Sequence, residues 1–98
     1  MKSLRFEWDA NKDEINRQKH GISFEEGSSI FFDEGAILIH DPDHSDNEDR
    51  DLLLGISAKL RLLVVSHTYR DNDSKIRLIS ARVATLQEHR QYGRINRP

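Results

Sequence analysis

The chain has 98 residues, which is the size of one ordinary domain, and we expect residues 1–98 to share a single modest core. Apolar residues make up 36% of the chain and charged residues 33%, and the formal net charge of −2 argues against a protein held to nucleic acid by bulk charge. The lack of cysteine excludes disulfides and thiolate zinc sites. Since no segment has the apolar length of a signal peptide or a membrane span, we expect a soluble protein of the cytoplasm.

Charge is distributed unevenly along the chain. Six acidic residues and a single base, Arg50, lie between Asp41 and Asp51. The balance reverses from Lys75 to the C-terminus, where six basic residues face a single acid, Glu88. A polyanion would therefore meet the last quarter of the chain on favourable terms.

The acidic segment raises the question of a metal site. Asp41, Asp43 and Ser45 match the first, third and fifth ligand positions of a calcium-binding EF-hand loop. The match fails at the twelfth position, where Leu52 replaces the required bidentate glutamate. We predict a solvated loop here, with no metal site and no cofactor in the protein.

The N-terminal region predicts a short strand followed by a helix. The strand covers Phe6–Trp8, and Asp9 is a good N-cap for a helix that runs to about Lys19. Gly21 ends this helix, because glycine readily adopts the left-handed conformation that closes many helices.

A second helix and a second strand come next. Ser23 and Glu26 match the S-x-x-E capping box and predict a helix that reaches about Phe32. The short apolar run at 36–40 then predicts a strand, which the acidic segment interrupts.

Three further segments, at 51–58, 61–70 and 75–82, have strand character. The first two are separated by a short connection, and the sequence RDNDSK before the third supplies the Asp and Asn side chains that favour turns. We therefore predict three consecutive antiparallel strands, a β-meander.

A closing helix is predicted after the meander. Thr85 and Glu88 form a second capping box, which starts the helix near Leu86, and we expect residues 93–98 to fray. The order of elements is that of an α+β protein with two N-terminal helices, an antiparallel meander and a C-terminal helix.

Three motifs, in order, resemble one protein family. They are the K-H-G sequence at 19–21, the R-x-x-x-x-G spacing at 50–55 and the IRLISAR sequence at 76–82. With the segments FEWDANKDEINRQKHGISFEE and ATLQEHRQY, they are similar to the BrnT family of type II toxins over residues 6–92. The resemblance implies a small RelE-like domain with ribonuclease activity that inhibits translation. It also implies a BrnA-like antitoxin of the ribbon-helix-helix type, so that contact with DNA would be indirect, through the antitoxin.

Metal-independent cleavage of RNA uses the 2′-hydroxyl as the nucleophile on the adjacent phosphate. The protein must therefore take one proton, give another and stabilise the extra negative charge. Arg77 and Arg82 suit the last task, because a guanidinium stays charged and its planar donors match phosphate oxygens. Lys19 would join them if the fold brings it near.

A different residue must accept the proton, because arginine does not give up its own. His20 is the first choice, since it lies at a constrained helix end and an imidazole titrates near neutrality. His67 and Glu88 are the other candidates for this role. We also predict that Arg50, Glu88 and Tyr92 bind RNA, with Tyr92 one helical turn beyond Glu88, where it can stack on a base or donate to a phosphate.

Each assignment has a structural alternative. Arg77 could pair with an acid on a neighbouring strand, His20 could cap its helix end, and Tyr92 could be a core or rim residue. For the whole protein, the alternative is a non-catalytic binding module that uses the same basic surface to hold an acidic protein segment. Growth arrest on expression would separate a nuclease from such a module.

Overall fold

The computed structural model of the protein describes residues 4–39, 50–70, 72 and 74–97. Most of the predicted acidic loop lies outside these residues. The described strands are β1 (Phe6–Glu7), β2 (Ile37–Ile39), β3 (Asp51–Ile56), β4 (Leu62–Arg70) and β5 (Lys75–Val83), and the helices are α1 (Ala10–His20), α2 (Phe24–Ser29) and α3 (Leu86–Ile95). The predicted α+β class is confirmed. Within the described ranges, no helix has both the length and the apolar character to cross a bilayer.

These strands form one sheet in the order β1-β5-β4-β3-β2. Strands β2 to β5 pair antiparallel in succession, so the predicted meander is confirmed and extended by β2. β1 pairs parallel to β5, with Glu7 opposite Arg77, and the sheet is therefore mixed. The sequence predicted the strand but not its partner, because a pairing between residues 70 positions apart leaves no local signal.

The first helix is held at its end and in its middle. Gly21 adopts a φ of 72° and its amide donates to the Arg17 carbonyl, as the sequence predicted. Asn16 is buried; its side chain donates to the Ala81 carbonyl at 2.8 Å and accepts from the Ala81 amide at 3.1 Å. These bonds supply partners for the backbone amide and carbonyl of Ala81, in a part of the β5 edge that β1 does not cover. They also fix α1 against that edge.

The second helix is shorter than predicted, because residues 30–32 form a 3₁₀ turn rather than continuing it. Ser23 Oγ accepts from the Glu26 amide at 3.0 Å, so half of the predicted capping box is present. The Glu26 carboxylate turns inward instead and accepts hydrogen bonds from Ser57 Oγ at 2.7 Å and Arg61 Nε at 2.9 Å. This ion pair, in which Glu26 is buried and Arg61 is partly exposed, joins α2 to the connection between β3 and β4.

Packed side chains lie on both faces of the sheet. One face, here called the α2 face, carries the larger core, in which α2 and the residue before it contribute Phe24 and Ile22. The opposite face, here called the α3 face, is covered in part by α3, and its buried residues are Leu54, Leu62 and Val64. The remaining members of the larger core are Ile30, Leu53, Leu63, Val65, Ile76, Leu78 and Ala81.

The closing helix α3 begins at the predicted residue and extends further toward the C-terminus than the sequence indicated. Thr85 Oγ1 accepts from the Glu88 amide and the Glu88 carboxylate accepts from the Thr85 amide, which completes the capping box. We expected the C-terminal tail to fray, but α3 continues to Ile95. Asn96 is also tied down, because its side chain donates to the Gly35 carbonyl at 2.9 Å. A contact with a distant turn thus holds the chain beyond the point that its local sequence indicates.

Candidate functional site

A register shift decides where the two predicted arginines point. Between β4 and β5, residues oppose one another singly except at Ile79, which has no partner of its own and forms a β-bulge. In a regular strand Arg77 and Arg82 would lie on opposite faces, because they are an odd number of positions apart. The extra residue reverses the alternation, so both arginines lie on the α3 face.

The cross-strand partners support this assignment. Arg82 is opposite Val64, which packs in the core of the α3 face, and Arg77 is opposite Thr68, four positions further along β4. Other cations and several hydroxyl groups share the end of this face that lies beyond the apolar residues packed under α3. We call this surface the basic face and define it by Ser66, Thr68, Arg70, Lys75, Arg77, Ser80 and Arg82. Arg50 immediately precedes β3.

Carboxylates hold both arginines in place. Arg77 Nη1 donates to Glu7 Oε2 at 2.6 Å, and Lys75 Nζ lies 3.7 Å from Glu7 Oε1. Arg82 binds Glu88 with both terminal nitrogens, at 2.8 and 3.0 Å. The hydrogen bonds from Arg82 outweigh the effect of burial and hold the pKa of Glu88 below its ordinary value, so this carboxylate is ionised at neutral pH. The acid partner considered for Arg77 as a structural alternative is therefore present, and a bound phosphate would compete with it.

Tyr92 ties α3 to the turn before β2. Its hydroxyl donates to Asp33 Oδ2 at 2.7 Å, and the same carboxylate accepts from the amides of Gly35 and Ile56 at 2.9 and 2.8 Å. Burial would raise the pKa of Asp33, but the three donors outweigh it and lower the pKa. Burial, followed by the contact with Asp33, raises the pKa of Tyr92 to about 12. The hydroxyl predicted to bind RNA thus makes a contact that positions α3, and with it Glu88.

Lys19 and His20 are the last two residues of α1. That helix packs against the outer edge of β5 through Asn16, rather than on the α3 face. Lys19 is exposed and His20 is half-buried. The helix that carries these two residues therefore lies along the edge of β5.

His67 belongs to the opposite side of the sheet. Its ring is fully buried on the α2 face, edge-to-face with Phe31 at 4.8 Å and with Tyr69 at 5.3 Å between ring centroids. Burial lowers its pKa, so the imidazole is neutral at neutral pH. The body of the sheet separates it from the basic face, and it is a core residue.

Glu7, beside the basic face, and Ser66, on it, are among the residues that the sequence analysis did not single out. Glu7 came from no motif, because its partner Arg77 is 70 positions away. Ser66 lies opposite Ser80, and its hydroxyl is buried without a hydrogen-bond partner in the described part of the chain. The available signal for Ser66 was a polar residue inside the apolar run RLLVVSHTYR.

The basic face has the chemistry to bind a phosphodiester backbone. Its guanidinium and ammonium groups pair with phosphate oxygens, and its hydroxyls donate to them. Beside Arg82, the ionised carboxylate of Glu88 is able to accept a proton. A guanidinium and a carboxylate therefore meet at one place, the joint between β5 and α3.

Comparisons with known proteins agree with this chemistry. Residues 8–88 match the family model for the ribonuclease toxin BrnT of type II toxin-antitoxin systems. The crystal structure of the ribonuclease toxin BrnT of Brucella abortus superposes with a TM-score of 0.64 at 21% identity, covering 85% of this chain and 99% of that one, and so shares the fold. A search of curated proteins finds no match. Because the family model spans most of the chain, the protein belongs to the BrnT family of ribonuclease toxins of type II toxin-antitoxin systems.

Proposed function

We propose that the protein is a metal-independent endoribonuclease that cuts RNA on the basic face, at the joint between β5 and α3. The observation that carries this proposal is the bulge at Ile79, which puts Arg77 and Arg82 on one face beside the ionised carboxylate of Glu88. Without that bulge the two guanidinium groups would serve different surfaces. Membership of a ribonuclease family supports the same conclusion.

The proposed reaction begins when a phosphate replaces Glu88 as the partner of Arg82. Glu88 takes the proton of the 2′-hydroxyl, the 2′-oxygen forms a bond to phosphorus, and the bond from phosphorus to the 5′-oxygen breaks. The leaving oxygen takes a proton from water, and the products carry a 2′,3′-cyclic phosphate and a 5′-hydroxyl. Arg82 stabilises the charge that develops on the phosphoryl oxygens, while Arg77 binds a neighbouring phosphate.

His20 is the second candidate for the proton acceptor, and Lys19 for a further phosphate contact. A pH profile separates the two bases. An imidazole loses its capacity to accept a proton as the pH falls through about 6.5, whereas a glutamate carboxylate, with an ordinary pKa of about 4.3, keeps this capacity at pH 5.5. We expect kcat to persist at pH 5.5 in the wild type and in His20→Ala, and to fall strongly at every pH in Glu88→Gln. A collapse of wild-type kcat between pH 7 and 5.5, together with an inactive His20→Ala, would assign the base to His20.

We further infer that the nuclease inhibits translation in the cytoplasm and is neutralised by a ribbon-helix-helix, BrnA-like antitoxin. The basic face supports an inhibitor of this kind, because an acidic partner segment would pair with the same cations that hold RNA. Because the antitoxin would bind the folded toxin and not the unfolded chain, it would also raise the thermal stability of the toxin. The toxin would contact DNA only indirectly, through the bound antitoxin. The RelE-like character of the domain stays a prediction from the sequence.

The test is cleavage of end-labelled single-stranded RNA by the purified, antitoxin-free protein in EDTA. Wild-type protein should cut, and a substrate with a 2′-deoxy nucleotide at the cleavage position should resist. Arg82→Ala should lower kcat by about 100-fold or more, the usual cost of removing one donor to a developing oxyanion. Arg77→Ala should act mainly by raising KM, because it removes a contact to a neighbouring phosphate.

Arg17→Ala is the matched control. Arg17 is an exposed arginine on α1 that is also paired with a carboxylate, that of Glu14, so the variant loses the same charge and a comparable ion pair. Its activity should equal that of the wild type. Full activity in Arg82→Ala, or cleavage that requires Mg²⁺, would overturn the proposed mechanism. A wild-type protein that neither cuts RNA nor arrests growth would favour the binding module instead.

A further inference from the structure

A polar cleft lies beside α3, next to the proposed cleavage site. It has a volume of about 440 Å³, within the range of about 300–1,000 Å³ that small-molecule sites occupy. One wall is the first half of α3 and the other is the edge strand β2. The lining residues are Leu38, Ile39, Thr85, Gln87, Glu88 and Gln91.

Two amides face this cleft from the same side of the helix. Gln87 and Gln91 are four positions apart, so their side chains are neighbours on the surface of α3. In the described part of the chain, no hydrogen bond to another residue occupies either amide. The adjacent row of the helix, Glu88 and Tyr92, is by contrast engaged with Arg82 and Asp33. One row therefore anchors the helix, and the other row presents donors and acceptors to the cleft.

The chemistry of this lining fits a nucleobase. A glutamine amide offers one acceptor and two donors in a plane, which is the complement of the donor and acceptor edge of a base. On the facing wall, the apolar side chain of Ile39 lies on the α3 face of the edge strand, where the flat face of a base can pack against it. Unstacked bases of single-stranded RNA are recognised through this combination of edge hydrogen bonds and face contacts.

Glu88 connects the cleft to the cleavage site, because it lines the cleft and its carboxylate also accepts from Arg82. A phosphate on Arg82 would thus have its neighbouring nucleoside at the mouth of the cleft. We infer that this cleft holds the base next to the scissile phosphate, and that Gln87 and Gln91 select that base by hydrogen bonds to its edge. The inference rests on the proposed ribonuclease function.

The experiment maps cleavage positions on a pool of single-stranded RNA oligomers of randomised sequence, by sequencing the ends of the products. The wild type should prefer one base, or one pair of bases sharing an edge pattern, by about tenfold over the others at the position beside the cut. Gln87→Leu and Gln91→Leu keep the approximate size of the side chain and remove its polar atoms. In at least one of them the preference should fall to within about twofold, because the preferred base loses rate while the other bases keep theirs.

Gln18→Leu is the matched control, since it removes a glutamine amide from an exposed position of α1. It should keep the wild-type preference. A structural effect of the α3 variants would lower cutting at every base alike and leave the preference unchanged, which would overturn the inference. A wild type that cuts RNA with no base preference at this position would do the same while leaving the proposed function intact. A wild type that does not cut RNA at all would remove both.

Discussion

Replacing Tyr92 by phenylalanine removes one hydroxyl and leaves the ring in the apolar core under α3. The hydroxyl donates to Asp33, and a hydrogen bond to a charged group contributes about 1.5–3 kcal/mol to the free energy of unfolding. Burial is the largest cause of the rise in the Tyr92 pKa from 10.0 to about 12, and the contact with Asp33 adds to it. At about 1.4 kcal/mol per unit, this shift corresponds to about 3 kcal/mol of stability that is lost when the tyrosine ionises. We expect Tyr92→Phe to lose about 2 kcal/mol and to melt roughly 10 °C lower.

The pH dependence of that loss is its specific signature. A group whose pKa is higher in the folded state stabilises the fold fully below its unfolded pKa and loses this contribution as the pH rises through the folded value. The difference in stability between wild type and Tyr92→Phe should therefore be constant up to about pH 9. It should fall by about half near pH 11 and approach zero near pH 12.

The assay is urea unfolding of both proteins at a series of pH values, with the ionisation of the tyrosines followed by absorbance. Lysines and other groups titrate in both proteins, so the difference between the two curves isolates Tyr92. A difference that is zero at pH 8, or that stays constant up to pH 12, would refute the contact with Asp33 as a source of stability. Equal stability together with weaker RNA binding would instead support the direct RNA contact predicted from the sequence.

Three further residues give predictions for stability, each measured by denaturant unfolding. Asn16→Ala leaves the Ala81 amide and carbonyl without partners and should cost about 3 kcal/mol, whereas Asn11→Ala at an exposed position of the same helix should cost almost nothing. Glu26→Gln should lower the free energy of unfolding by about 1–3 kcal/mol at pH 7. Because hydrogen bonds from Arg61 lower the pKa of Glu26, this difference should begin to shrink as the pH falls below the ordinary value of 4.5 and should vanish only below the lowered value; the exposed Glu25→Gln should show neither effect. Burial lowers the pKa of His67, so the unfolded chain binds this proton at a higher pH than the folded protein does, and the free energy of unfolding should fall as the pH drops through 6.5. His67→Phe should make this pH dependence weaker. An unchanged dependence of stability on pH would show that the ring is not buried as described.

Local features of the fold were predictable because their causes are local. The end of α1 at Gly21 and the starts of α2 and α3 at Ser23 and Thr85 depend on neighbouring residues, and the structure confirms all three. The meander followed from turn chemistry between strands that are adjacent in the sequence. Features that depend on distant partners, such as the parallel pairing of β1, the inward turn of Glu26 and the extension of α3, had no such signal.

The same division applies to the candidate site. The sequence indicated Arg77 and Arg82 through their chemistry, but the simple alternation of a strand would have put them on opposite faces. A bulge is set by the pairing of two strands and cannot be read from one of them. Likewise, the sequence indicated Tyr92 as a functional position without revealing that Asp33 accepts its hydrogen bond. The roles proposed for Lys19, His20 and Arg50 stay predictions.

The most direct test of the central claim is to locate bound RNA on the protein. A short 2′-O-methyl RNA resists cleavage at the 2′-position and can be titrated into labelled protein while amide chemical shifts are followed. We predict the largest changes on the basic face and at the start of α3, including Thr68, Arg77, Arg82 and Glu88. Changes confined to the opposite, α2 face, around Phe31 and Tyr69, would contradict the account.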